Sequence, residues 1–63
     1  MATLKLYRKQ NRYTQQEIAD ILGISRQAYS NYEKGKRSPS LSVLIKLADL
    51  YQISLDALIG RAV

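Results

Sequence analysis

The sequence contains neither cysteine nor histidine. Without cysteine there is no disulfide, no thiolate metal site and no cysteine nucleophile. Without histidine the chain lacks the commonest metal ligand and the side chain best suited to proton transfer near neutral pH. No apolar run exceeds three residues, which excludes a membrane-spanning helix, and residues 1–12 hold no apolar core of signal-peptide length. We therefore expect one small cytoplasmic domain over residues 1–63, with no metal and no cofactor.

Acidic residues are also few. Five Asp and Glu stand against ten Lys and Arg, which gives a net charge of +5 and a pI of about 9.8. A small domain this basic is typical of a protein that binds a polyanion, either nucleic acid or an anionic membrane surface. Residues 1–12 carry four cations and no acid, residues 26–37 carry four cations and one acid, and residues 38–63 are neutral. These two basic blocks indicate one basic face; scattered, solvated charges are the alternative.

The apolar residues that are present recur every three or four positions, which predicts a compact, all-α domain of five helices. Helix one is predicted over residues 3–11. Helix two opens with the capping box Thr14-Gln15-Gln16-Glu17, helix three follows Ser25 and runs to about Lys34, and Ser40 and Ser54 cap helices four and five. The inner faces are predicted to contain Leu41, Leu44, Leu47, Ala48 and Tyr51 in helix four, and Leu55, Leu58 and Ile59 in helix five.

Helices two and three are joined only by Gly23-Ile24-Ser25. So short a connection containing glycine forces the two helices to cross steeply, which is the geometry of a helix-turn-helix. The crossing needs a small residue at the contact, supplied by Ala19, and a residue that turns the chain, supplied by Gly23. The apolar residues expected to hold the pair together are Ile18, Leu22, Ile24, Tyr29 and Tyr32. We therefore predict a helix-turn-helix at about residues 14–34.

At these residues the chain resembles the phage-repressor helix-turn-helix family of Cro/CI (XRE) type. The matching stretch, residues 14–40, reads TQQEIADILGISRQAYSNYEKGKRSPS. Residues 44–48 and 53–58 are similar to the last two helices of the family, so that the resemblance covers residues 4–59. It implies a five-helix domain whose third helix enters the major groove of double-stranded DNA.

The resemblance also implies which side chains contact DNA. Base contacts are expected from Arg26, Gln27, Ser30 and Asn31, because arginine suits guanine whereas glutamine and asparagine suit adenine. Phosphate contacts are expected from Gln15, Lys34, Lys36, Arg37 and Ser40. Ser30 and Asn31 are expected to lie on the same outward face as Gln27. The alternatives are that Gln15 is only a good helix former and that Arg26 and Gln27 are a solvated helix start.

Three further features concern packing. Glu33 lies near a helix C-terminus, where an acid opposes the helix dipole, and the resemblance implies a partly buried ion pair with Arg8. Tyr29 and Tyr32 are expected to pack in the core rather than stack on bases, and the hydroxyl of Tyr29 then needs the rim or a partner. Four apolar residues outside the expected core are candidates for a second apolar surface: Leu6, Val43, Leu50 and Val63.

The leading prediction is sequence-specific binding of double-stranded DNA by a transcriptional regulator, a repressor rather than an activator. One domain reads only about four to six base pairs, so we expect a homodimer, at least on DNA, and a palindromic operator. No small-molecule ligand is evident. The alternatives are a protein-interaction module of the antitoxin type and a helix that binds a membrane surface. An enzyme is disfavoured, because the sequence shows no nucleophile–base pair, metal cluster or phosphate loop.

Overall fold

The structure is a computed structural model that describes residues 1–60. In this range the chain forms five α-helices and no strand: α1 (Ala2–Gln10), α2 (Gln15–Leu22), α3 (Arg26–Lys34), α4 (Leu41–Tyr51) and α5 (Leu55–Ile59). The predicted all-α, five-helix fold is confirmed. Helix α1 begins and ends one residue earlier than predicted. At its end Asn11 is the C-cap, and its side-chain Nδ2 donates to the Tyr7 carbonyl at 2.8 Å.

Hydroxyl side chains start four of the five helices. The Thr14 hydroxyl accepts from the Glu17 amide at 3.1 Å while the Glu17 carboxylate accepts from the Thr14 amide at 2.9 Å, so the predicted capping box is present. The other three caps accept from the amide three residues on: Ser25 from Ala28, Ser40 from Val43 and Ser54 from Ala57. These local bonds place the helix starts where the sequence predicts them.

The largest fully buried side chains come one from each helix and are all 0% exposed: Leu4, Ile18, Tyr29, Leu47 and Leu58. Around them pack Ala19, Leu22, Ala48 and Tyr51, which are also buried. Helix α3 packs against α2 and α1, and α5 packs against α4 and α1. No helix within residues 1–60 has both the length and the apolar character needed to cross a bilayer.

The outer edge of the core differs from the prediction at two helix ends. Leu41 is 62% exposed and Ile59 is 38% exposed, although both were predicted on inner faces. They are the first residue of α4 and the last of α5, so each lies on the correct stripe but beyond the reach of the neighbouring helices. Periodicity predicts the face of a helix but not how far along it the core extends.

The predicted second apolar surface is also corrected. Val43 and Leu50 pack against the core, whereas Leu6 is 52% exposed. Val63 lies outside the described residues. Two exposed apolar residues, Ile21 and Ile45, were not predicted. The three candidates within residues 1–60 therefore do not form one exposed surface, and Leu6 on α1 is the one that stays exposed.

Candidate nucleic-acid interface

An open cleft lies between the start of α2 and the outer side of α3. Its lining residues are Gln15, Arg26, Gln27, Ser30 and Lys34, all of which were predicted to contact DNA. The cleft therefore combines two cations with three neutral side chains that can donate and accept hydrogen bonds. The start of α2 adds the partial positive charge of a helix N-terminus.

Ser30 lies deeper than predicted. Only 7% of the residue is exposed, so the expectation that it lies outward like Gln27 is wrong. The serine side chain is short, and longer side chains line the same cleft around it. A contact between Ser30 and a base stays a prediction, and it requires a base edge to reach the floor of the cleft.

Asn31 does not line the cleft itself but is hydrogen-bonded to Gln27, a lining residue one helical turn earlier. Gln27 Nε2 donates to Asn31 Oδ1 at 3.1 Å, and Asn31 is half-buried whereas Gln27 is exposed. These two amides were predicted as separate contacts. The spacing of four residues on a helix was the signal that could have revealed the pair.

Arg8 and Glu33 form the ion pair that the family resemblance implies. Arg8 Nε and Glu33 Oε2 are 2.6 Å apart and Arg8 Nη2 donates to Glu33 Oε1 at 3.2 Å, with side-chain exposures of 10% and 4%. Arg8 Nη1 also donates to the Tyr13 carbonyl at 2.9 Å, which ties the turn before α2 to the same group. The bidentate geometry joins α1 to the end of α3.

The electrostatics of the pair follow from its partners. Burial acts to raise the pKa of Glu33, but hydrogen bonds from Arg8 and neighbouring side chains outweigh it and hold that pKa below its ordinary value. The hydrogen bond to Glu33 raises the pKa of Arg8. Both side chains are therefore charged at neutral pH, and the positive charge of Arg8 balances the carboxylate of Glu33.

Gln15 joins this pair to the cleft. Its Nε2 donates to Glu33 Oε1 at 3.1 Å, while the residue also lines the cleft with Arg26 and Lys34. The second amide hydrogen of Gln15 stays available to donate to a phosphate oxygen. This bond could not be predicted from the sequence, because its two residues are 18 positions apart and no local pattern links them.

The remaining predicted phosphate contacts lie after α3. Lys36 and Arg37 are exposed, and their backbone amides donate to the Asn31 carbonyl at 3.0 and 3.3 Å, which holds this loop against the end of α3. The hydroxyl of Ser40 caps α4 and lies 3.1 Å from the hydroxyl of Ser42. None of these three residues lines the cleft, so their phosphate contacts stay a prediction.

The two tyrosines of α3 pack as predicted. Tyr29 is fully buried, Tyr32 is half-buried, and their rings meet edge to face with centroids 6.5 Å apart. Within residues 1–60 the buried hydroxyls of Tyr29 and Tyr51 make no hydrogen bond of good geometry, although the Glu33 carboxylate lies near enough to Tyr29 to affect its pKa. Burial raises the pKa of Tyr29, and it raises the pKa of Tyr51 to about 12.

Comparison with known proteins gives a consistent result. A helix-turn-helix family model matches residues 4–58. The chain is 48% identical over 56 residues to the uncharacterized HTH-type transcriptional regulator YqaE of Bacillus subtilis, which covers 89% of this chain and 48% of that protein. It is 46% identical over 54 residues to the HTH-type transcriptional regulator AnsR of the same organism, with 86% of this chain and 47% of that protein covered.

A phage protein is among the relatives. The chain is 44% identical over 54 residues to the cryptic phage CTXphi transcriptional repressor RstR of Vibrio cholerae, which covers 86% of this chain and 48% of that protein. The chain thus spans about half the length of the curated relatives that it matches. No solved structure matches it significantly.

Proposed function

Because this chain belongs to the helix-turn-helix family of Cro/CI type, we propose that it is a transcriptional regulator that binds double-stranded DNA with α3 in the major groove. The observation that carries this proposal is the cleft at α2 and α3, where Arg26 and Lys34 lie beside Gln15 and Gln27. Cations suit the phosphates and amides suit the base edges, and a duplex presents both within one helical turn.

The positions of the side chains separate residues that would contact bases from residues that would contact phosphates. Arg26 and Gln27 are exposed in the first turn of α3, the part of a recognition helix that meets base edges. Lys34, Lys36 and Arg37 are exposed at the other end of the helix and in the loop behind it, where they would contact phosphates. The first pair confers sequence preference, and the three cations confer affinity for any duplex.

The packing of the tyrosines favours duplex DNA over a single strand. Proteins that bind single strands stack bases on exposed aromatic rings. Tyr29 is fully buried and Tyr32 packs against the core, so α3 offers no free ring beside the cleft. Hydrogen bonding to base edges in a groove fits the polar side chains that α3 does expose.

We further propose a repressor that acts as a homodimer on a palindromic operator. The name of RstR, a transcriptional repressor, supports repression over activation. A single recognition helix reads too few base pairs for strong specificity, and two copies on half-sites about 34 Å apart would read enough. Residues 38–60 carry one cation and two acids, so they would not repel a second copy as the basic residues 1–37 would.

Selection of duplexes from a pool with about 20 random base pairs, enough for two half-sites one turn apart, tests this function. We expect enrichment of one sequence with two-fold symmetry. Arg26→Ala should weaken binding to that sequence by about 1–3 kcal/mol and change binding to random DNA little. Equal weakening on both duplexes would contradict base reading by Arg26, and a pool without enrichment would contradict specific binding altogether.

A protein-interaction module is the second candidate, and the observation that favours it is Leu6. This residue is 52% exposed and lies with Lys5 and Lys9 on the outer side of α1. Leu6→Gln separates the two functions, because it removes the apolar contact and leaves the cleft unchanged. A regulator should keep its affinity for the selected duplex, whereas an antitoxin-type module should lose a co-encoded partner in a pull-down.

A further inference from the structure

The hydrogen bond between Gln27 and Asn31 has a consequence for how the cleft would read DNA. Both residues stand on the outer side of α3, one turn apart, and Gln27 Nε2 donates to Asn31 Oδ1 at 3.1 Å. Asparagine is a poor helix former in a helix interior, since its amide competes for backbone hydrogen bonds. Here that amide accepts from a side chain instead.

The bond uses part of each amide and leaves a defined remainder. Gln27 keeps its Oε1 acceptor and one of its two amide hydrogens, and Asn31 keeps both hydrogens of Nδ2. An acceptor and a donor on one planar amide match the N6 amino group and the N7 atom of adenine in the major groove. Gln27 can therefore contact adenine with two hydrogen bonds while it remains bonded to Asn31.

We propose that Gln27 and Asn31 act as one reading unit, in which Asn31 positions the Gln27 amide so that its free edge pairs with a single adenine. This inference rests on the proposed function and deepens it. A free glutamine on a helix surface samples many rotamers, and ordering it on binding weakens affinity. The bond to Asn31 restricts that sampling before DNA arrives. It also polarises the Gln27 amide, which makes its Oε1 a better acceptor.

The side chain of Asn31 can be changed without changing the end of α3. The loop after α3 is held by the backbone carbonyl of Asn31, which accepts from the Lys36 and Arg37 amides. A substitution keeps that carbonyl and removes only the side-chain bond. Asn31→Ala removes the acceptor for Gln27, whereas Asn31→Asp keeps a carboxylate oxygen in its place.

The test uses the duplex selected by the wild-type protein, and a set in which each adenine in turn is replaced by 7-deazaadenine. That analogue keeps its N6 amino group and its pairing with thymine but lacks N7. The measured quantity is the ratio of dissociation constants for the substituted and unsubstituted duplexes. We expect a ratio of about five or more at one adenine for the wild type, since loss of one bond of a bidentate contact costs at least the lower end of its discrimination.

Variants of Gln27 and Asn31 test whether Asn31 positions the Gln27 amide or has only a structural role. Gln27→Ala and Asn31→Ala should each bring the ratio at that adenine to within about twofold of one, and the double variant should bring it no lower. Asn31→Asp should weaken binding to every duplex through its added negative charge but keep the ratio. The matched control is Asp20→Ala, because Gln16 Nε2 donates to Asp20 Oδ1 at 2.9 Å in the same four-residue spacing on α2. This control should leave the ratio unchanged.

Three results would overturn the inference while the selected sequence is still preferred over random DNA. Asn31→Ala could keep the full ratio, the two single variants could affect different adenines, or no adenine could respond in the wild type. Loss of the ratio in Asn31→Asp would likewise contradict an acceptor role for residue 31. A wild-type protein that enriches no sequence would overturn the proposed function and this inference together.

Discussion

Residues 1–37 and residues 38–60 are built by different means within one small core. The first region, α1 to α3 and the loop behind them, carries eight cations and three acids, and the second, α4 and α5, carries one cation and two acids. Side chains of the first region bond across long sequence separations at Arg8, Gln15 and Glu33. Among the described residues of the second region, the side-chain bonds are the local ones of the Ser40 and Ser54 caps.

The difference separates the part of the molecule that would read DNA from the part that supports it. In the first region the same residues carry both stability and the proposed interface, because Glu33 is bonded to Arg8 on one side and to Gln15 in the cleft on the other. In the second region stability comes from apolar packing of Leu47, Ala48, Tyr51 and Leu58. Damage to the Arg8–Glu33–Gln15 group should therefore change binding and stability together, and damage to the buried core of the second region should change stability alone.

Glu33→Ala should have the largest effect. It leaves the guanidinium of Arg8 without its partner in a site where only 10% of the side chain is exposed, which costs about 3–5 kcal/mol of unfolding free energy for a buried pair. Thermal and urea melts of Glu33→Ala, Arg8→Ala and the double variant measure this loss of unfolding free energy. The double variant should lose less than the sum of the two single losses.

Asp49→Ala is the control for this pair, because Asp49 is an exposed acid on α4 and its removal should change stability by less than about 1 kcal/mol. A double variant whose loss equals the sum of the single losses would mean that Arg8 and Glu33 do not interact energetically.

Leu47→Ala should have a slightly smaller effect, about 2–5 kcal/mol, because it leaves a cavity at a fully buried position of the second region. Ile45→Ala, on the same helix at 45% exposure, should cost under about 1 kcal/mol. At a temperature where both variants are folded, DNA affinity should match the wild type. A loss of affinity in folded Leu47→Ala would break the proposed separation between the two regions.

Lowering the pH should destabilise the protein through Glu33 in the first region. This effect on stability should be smaller than those of Glu33→Ala and Leu47→Ala. The pKa of Glu33 is lower in the folded protein than in the unfolded chain, so its contribution is present above the unfolded pKa. The contribution is lost as the pH falls through the folded value. Melts from pH 7 downward should show a steeper acid loss for the wild type than for Glu33→Gln. If the stability of the wild type and of Glu33→Gln fell in parallel with pH, ionisation of Glu33 would not contribute to the stability of the fold.

The helix boundaries could be predicted because their causes are local. Thr14, Ser25, Ser40 and Ser54 each bond an amide three residues away, and such bonds depend on the sequence alone. The exposure of Leu41 was mispredicted for the opposite reason. Whether a neighbouring helix covers the end of a stripe depends on the lengths and crossings of other elements.

The residues of the candidate site could be predicted from the sequence, but most of the hydrogen bonds between them could not. The resemblance named Gln15, Arg26, Gln27 and Lys34, and the fold brings them to one cleft. The bond from Gln15 to Glu33 depends on how α2 packs on α3, which no local spacing records. The burial of Ser30 depends on the lengths of its neighbours' side chains in three dimensions.

The salt dependence of duplex binding tests the contrast between the two regions most directly. Lys36 and Lys46 are both exposed lysines, one in the loop behind α3 and the other on α4. Each phosphate contact contributes close to one unit to the slope of log affinity against log salt concentration. We predict that Lys36→Ala lowers this slope by about one and weakens binding to specific and random duplexes alike, while Lys46→Ala leaves the slope unchanged. Equal slopes for the two variants, or a loss confined to Lys46→Ala, would contradict this prediction.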